Sequence, residues 1–81
     1  MTKQEINILV SRVTLVPGLM GGKPTIRRMR FPVKDVLELL ASGMSHAEIL
    51  EEHPDLEEDD IKAALLYAAQ KMDEIKIVNE K

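Results

Sequence analysis

Apolar positions recur with two different periods along this chain. Ile6, Ile8 and Val10 alternate with polar or smaller neighbours, and Val13 and Leu15 continue an extended run rich in β-branched residues. This pattern predicts a strand within residues 5–16, because successive side chains of a half-buried strand point to opposite faces. A helix from Lys3 to Val13 is the rival reading. Pro17-Gly18 ends either element. Gly21-Gly22-Lys23-Pro24 forms a turn or loop, since glycine supplies positive φ and proline removes a backbone donor. Thr25 to Phe31 reads as a second short strand able to pair with the first, and Pro32 closes it at the first turn of a helix.

From there the period becomes helical. Val33, Val36, Leu37 and Leu40 fall at i, i+3, i+4 and i+7, which predicts a helix over residues 32–42 with Gly43 as its left-handed stop. Ser45 and Glu48 form a capping box that starts a second helix with Ala47, Ile49 and Leu50 inward, and Pro54 ends it by His53. The third and longest helix starts near Glu57 and carries Ile61, Ala64, Leu65, Ala68, Met72 and Ile75 as one apolar stripe. The expected fold is mainly α: a three-helix helix-turn-helix module with a small N-terminal β arm or hairpin. All of it fits one domain, with the arm over residues 1–31, the helical part over 32–75 and a tail over 76–81.

At 81 residues, a single domain buries roughly 60–65% of its unfolded surface, enough for a modest core with little surplus stability. Phe31 and Tyr67 are the only aromatic residues. The core is therefore aliphatic, and little remains for stacking unpaired bases. Both rings read as packing residues, and Met20, Met29, Met44 and Met72 as gap fillers. The absence of cysteine excludes disulfides and thiolate metal sites and favours a cytoplasmic location. No membrane association is expected, because the apolar run from Val13 to Met20 is short and broken by Pro17 and Gly18. No secretory signal pattern begins the chain.

Charge changes the picture more than composition does. Residues 1–34 carry seven basic side chains against Glu5 alone, a net +6, whereas residues 35–81 carry four against thirteen acids, a net −9. Either the halves attract each other, within the fold or across a dimer, or the basic half forms a patch for phosphates. In the second reading Lys23, Arg27 and Arg28 are the candidate phosphate contacts, and Arg30 fixes the arm to the helices through Asp35 or Glu38.

Candidate chemical sites weaken on inspection. Gly18-Leu-Met-Gly-Gly-Lys-Pro24 has short glycine spacing for a phosphate loop, and Pro24 stands where a hydroxyl metal ligand belongs. His46 and His53 lack the four-residue spacing of paired zinc ligands and a third ligand beside them, so they read as surface or packing residues. Glu57, Glu58, Asp59 and Asp60 are more simply explained by the positive end of a helix dipole than by a bound cation. Ser11, Ser42 and Ser45 have no histidine and acid at a recognised spacing. No enzyme, cofactor or metal site is expected. Leu66 and Ala69 widen the third helix's stripe beyond one small core and suggest a surface for a dimer mate or another protein.

Several segments occur together in one order: Gly21-Gly-Lys-Pro-x-Ile-Arg27, Arg30-x-Pro-Val33, Ala41-x-Gly-Met-Ser45, Ile49-Leu-Glu-Glu-His-Pro-Asp-Leu56 and Asp60-Ile-x-x-Ala-Leu-x-Tyr-Ala-Ala69. Over residues 12–69 the chain resembles the bacterial and archaeal domain-of-unknown-function 433 family. That family is similar to homeodomain-like helix-turn-helix proteins, and its members are often described as VapB-type antitoxins encoded beside a PIN-like ribonuclease toxin. The resemblance implies an antitoxin-like protein, expected as a homodimer, that neutralises such a toxin and contacts its own operator DNA. The toxin surface would then include Leu66, Ala69, Met72, Ile75 and Ile77, which exceed the needs of a three-helix core. The alternatives are a DNA-binding regulator without a toxin, or a protein-binding adaptor that has lost DNA contact. Arg27-Arg28-Met29-Arg30 departs from the family's usual Arg-Gly-Thr-Arg, and Glu57 replaces its threonine cap. The acidic start of the third helix discriminates among the three, because carboxylates at the front of a recognition helix are repelled by phosphates.

Overall fold

The computed structural model describes residues 1–74, so the expectations for Ile75, Ile77 and the tail over 76–81 lie outside the described residues. Its elements are α1 (Lys3–Val10), β1 (Val13–Leu15), β2 (Pro24–Ile26), α2 (Val33–Ala41), α3 (His46–Glu52) and α4 (Glu58–Asp73), with a short 3-10 turn over Met20–Gly22. The first helix begins on a reciprocal cap. The Thr2 hydroxyl accepts from the Glu5 amide at 3.1 Å, and the Glu5 carboxylate accepts from the Thr2 amide at 2.7 Å. Two of the first-turn amides are thereby satisfied and the helix is nucleated despite its β-branched content. The rival reading therefore holds as far as Val10, and the strand expected within 5–16 is confined to three residues. Ile6, Leu9 and Val10 are half-buried at helical spacing on the side that packs against α4, while Ile8 is 62% exposed.

The two strands form an antiparallel hairpin in the register Val13 to Ile26, Thr14 to Thr25 and Leu15 to Pro24. Its second strand stops five residues short of the expected Phe31. Arg27 and Arg28 adopt left-handed φ values of 43° and 61°, and the Met29 amide donates to the Ile26 carbonyl at 2.8 Å to close a turn. The chain then returns so that the Ile26 amide donates to the Phe31 carbonyl at 2.9 Å. Inside the hairpin the Thr14 and Thr25 hydroxyls lie 3.1 Å apart, and the Arg28 amide donates to the Thr14 hydroxyl at 2.9 Å. These bonds hold two consecutive L-residues in a region that costs each about 1–2 kcal/mol.

Helix signals in the second half match the structure closely. Pro32 occupies the cap position of α2, Gly43 follows its end at φ 98°, and the Ser45 and Glu48 side chains cap α3 reciprocally at 3.1 and 2.7 Å. The buried core gathers Ile26 from the hairpin, Val33 and Val36 from α2, Ile49 from α3, and Ile61 and Ala64 from α4. Three inward assignments need correction, Met72 among them at 59% exposed. Ala47 is exposed, so α3 contributes Ile49 fully and Leu50 in part, and Leu65 is 43% exposed. The buried face of α4 is instead Asp60, Ile61, Ala63 and Ala64, because a carboxylate, described below, must also face inward. The result is mainly α with one hairpin near the N-terminus, and among the described residues no helix is long and apolar enough to cross a membrane.

The left-handed turn makes a direct prediction. Arg28→Gly keeps the backbone amide that donates to Thr14 and relieves the strained φ, so the variant is expected to gain about 0.5–1 kcal/mol in urea unfolding after glycine's own entropic cost. A loss of stability would show that the Arg28 side chain holds the fold.

Candidate interaction surface

Asp60, in the first turn of α4, is completely buried and is the convergence point of the charged residues. Arg27 meets it with a fork, Nε to Oδ1 at 3.0 Å and Nη2 to Oδ2 at 2.8 Å, and the same Nη2 donates to the Asp55 carbonyl at 2.8 Å. Arg12 reaches Oδ1 at 3.0 Å and also binds Glu57 Oε1 at 2.8 Å, with Asp59 at 3.8 Å. The Glu57 amide supplies a further donor to Asp60 Oδ2 at 2.8 Å. Burial pushes the Asp60 carboxyl up, but hydrogen bonds from Arg27, the Glu57 amide and Arg12 outweigh it and hold the group below the usual carboxylate range. Both arginines are raised above their ordinary values, Arg12 by Glu57 and Asp60, and Arg27 by Asp60.

This cluster redistributes the roles expected of the basic residues. The attraction between the halves is internal at Arg12 and Arg27, so the guanidinium of Arg27, expected to face a partner, is engaged by Asp60 and the Asp55 carbonyl. Arg30 makes no ion pair with Asp35 or Glu38 within 4.0 Å among the described residues, although all three border the same shallow hollow beside Phe31 and His53. The anchoring expected of Arg30 belongs to Arg27. No local motif marks Arg12, whose only signal in the sequence is the opposite charge of the two halves. Lys23 and Arg28 remain exposed, with no carboxylate within 4.0 Å among the described residues.

The start of α4 is closed off in the same way. Glu57 faces Arg12, Glu58 binds His46 Nδ1 at 2.6 Å, and Asp59 lies between Arg12 and Lys62. His53 caps α3 and packs edge-on against Phe31, with ring centres 5.1 Å apart. In the glycine-rich loop the amides of Leu19, Gly22 and Lys23 donate to the carbonyls of Val16, Leu19 and Met20, so these three are engaged within the loop. Among the described residues no group of three or more His, Cys, Asp or Glu is placed to hold a metal ion.

An apolar surface lies further along α4, toward its C-terminal half. A groove of about 380 Å³ runs between β2, α2 and α4. It is lined by Pro24 and Pro32, by Val33 and Leu37 of α2, and by Tyr67, Ala68 and Met72 of α4. Lys23, Lys34 and Lys71 stand around it. Lys34 pairs with Glu38 at 2.9 Å, and Lys71 pairs with Glu74 at 3.3 Å while lying 5.4 Å from the Tyr67 ring centre. Of the expected partner residues, Met72 is 59% exposed and lines the groove, Ala69 is exposed, and Leu66 is half-buried. Leu65 replaces Leu66 as the exposed member, and Leu65, Ala69 and Met72 follow one stripe at i, i+4 and i+7.

Residues 13–68 match the family described as Protein of unknown function (DUF433), and the chain belongs to it. A crystal structure of a DUF433 member protein from Anabaena variabilis superposes with a TM-score of 0.72 at 28% identity, covering 88% of this chain and 70% of that one. The uncharacterized protein y4eO of Sinorhizobium fredii is 41% identical over 56 residues, which are 69% of this chain. The match spans only 25% of that relative's length. The family match begins at β1 and ends within α4, so α1 and its contact with α4 lie outside it.

Asp60→Ala leaves two arginines facing an unfilled acceptor position and is expected to cost about 3–5 kcal/mol in urea unfolding. Because the folded carboxyl titrates below its unfolded value, its contribution is full above the unfolded pKa and fades as pH falls through the folded one. Asp60→Asn should therefore lose stability at neutral pH and show a flatter stability profile in acid. An Asn variant with the parent's acid profile would assign the acid sensitivity to other carboxylates.

Proposed function

We propose that this DUF433 protein is an antitoxin-like binding module that captures and neutralises a PIN-like ribonuclease toxin. The observation that carries the reading is the apolar groove with its continuation along Leu65, Ala69 and Met72. A domain this small has little apolar surface to leave uncovered, and a contiguous patch is the usual mark of a protein partner. The family resemblance supplies the partner class. The succession α2, α3 and α4, with residues 53–57 between the last two, is compatible with a helix-turn-helix arrangement. Use of α4 as a DNA reader is disfavoured by chemistry, since the carboxylates of Glu57, Glu58 and Asp59 at its start are solvent-exposed. Co-expression with the product of the adjoining reading frame is the test. A stoichiometric complex and loss of that product's ribonuclease activity are expected, and failure to co-purify would sink the reading.

Self-association belongs to the same proposal, through the exposed stripe of α4. Leu65→Glu leaves the buried core untouched and should lower the mass measured by light scattering. A parent that is monomeric at high micromolar concentration removes the dimer.

A second reading, operator binding by the arm, is favoured by the exposed Lys23 and Arg28. Each phosphate contact contributes about 0.9 to the slope of log affinity against log salt. Arg28→Ala should reduce the slope for the gene's own upstream DNA by about 0.9 per protomer bound and weaken all sequences alike. An unchanged slope would exclude the arm.

A further inference from the structure

We propose that the groove between β2, α2 and α4 receives one amphipathic helix of a partner protein, with aliphatic side chains in the groove and flanking carboxylates on Lys23, Lys34 and Lys71. The proposal rests on the partner-binding reading above and names the chemistry of the partner. Three features select this occupant.

The first is backbone chemistry. Pro24 and Pro32 line the groove and neither has an amide hydrogen, so this edge of the hairpin cannot offer a full ladder to an added strand. Thr25 already bridges to Pro32. An occupant must therefore bring its own satisfied backbone, which a helix does.

The second is shape. The groove lies between two helices and its lining is almost wholly apolar, aliphatic but for one ring, Tyr67. Protruding leucine or isoleucine side chains fit such a surface. A flat lipid surface does not, and a phosphate backbone would meet an almost wholly apolar lining.

The third is charge. The chain carries a net charge of −3, yet three lysines stand around this one apolar patch. Among the described residues Lys23 has no carboxylate within 4.0 Å, and the carboxylates that pair with Lys34 and Lys71 are Glu38 and Glu74 of their own surface. Exposed pairs at such spacing are weak. Exchanging them for a partner's carboxylates costs little, and complementary charge then sets register and selectivity.

The lone tyrosine supplies the readout. The chain has one tyrosine and no tryptophan, so tyrosine emission reports Tyr67 in the groove wall. The probes are two helical peptides without aromatic residues, each with leucine at i, i+3, i+4 and i+7, one flanked by glutamate and the other by lysine. The full-length protein is expected to bind the glutamate peptide about tenfold more tightly than the lysine peptide, with the advantage shrinking in high salt. The combined Lys23→Glu, Lys34→Glu and Lys71→Glu variant should reverse the preference, with an unchanged circular dichroism spectrum showing that it folds. Met72→Glu should weaken the glutamate peptide. Equal affinities, no binding, an unreversed preference, or a Tyr67 response to anionic vesicles or duplex DNA in place of the peptides would overturn the proposal. The antitoxin reading fails separately. If the adjoining gene product is captured undiminished by the triple variant, the groove is not its site; if it is never captured while the peptide preference holds, the groove's chemistry stands and the toxin is the wrong partner.

Discussion

A single carboxylate sets the geometry of this small domain. Asp60 is buried at the start of α4, and a buried charge is tolerable only when its hydrogen-bonding capacity is filled. Filling it requires Arg27 from the turn after the hairpin, Arg12 from the segment after α1, and the Glu57 amide. These requirements join three stretches of chain that share few large apolar side chains. They also rotate α4, so that its inward face begins with Asp60 and Leu65 is turned outward.

The same constraint accounts for the backbone of the arginine turn. Left-handed φ at Arg27 and Arg28 is unfavourable for both residues, and local bonds offset it. The Arg27 side chain ends on Asp60 and the Asp55 carbonyl, and the Arg28 amide ends on Thr14. One arginine is turned into the fold and its neighbour is left at the surface. The polar side of the molecule is thus tied together by charge, while the groove across β2, α2 and α4 keeps its aliphatic side chains uncovered by any described residue.

Much of the helical half was legible because its signals are local. The Ser45-x-x-Glu48 box, Gly43, Pro54 and the spacing of Val33, Val36 and Leu40 act within a few residues, and the structure follows each. The N-terminal helix carried an equally local sign, Thr2-x-x-Glu5, but the alternation of Ile6, Ile8 and Val10 pointed to a strand. Exposure of Ile8 shows that this alternation was not a buried face. The site was less legible for a different reason. Which of four nearby arginines meets which of four successive acids depends on turn geometry and on contacts more than thirty residues apart, and no periodic pattern encodes that. Thus Arg30 looked like the anchor and Arg27 like the free cation. At Met72 and Ala69 the surplus of apolar residues did locate an exposed stripe, with Leu65 in place of Leu66.

Sequence distance within the Asp60 cluster also bears on how the chain acquires its structure during synthesis. Arg27 and Arg12 precede their carboxylate by 33 and 48 residues. Closing loops of that length is entropically costly before the contacts exist to reward it. While the ribosome is still upstream of position 60, both guanidiniums lack this acceptor, and the hairpin has neither Ile61 nor Ala64 to pack against. The N-terminal half therefore emerges as a basic polypeptide whose charge anchor and part of whose core are supplied only by α4. A product ending before Asp60 would lack both that anchor and the packing against Ile61 and Ala64, and partly folded chains of this kind are the ones exposed to proteases.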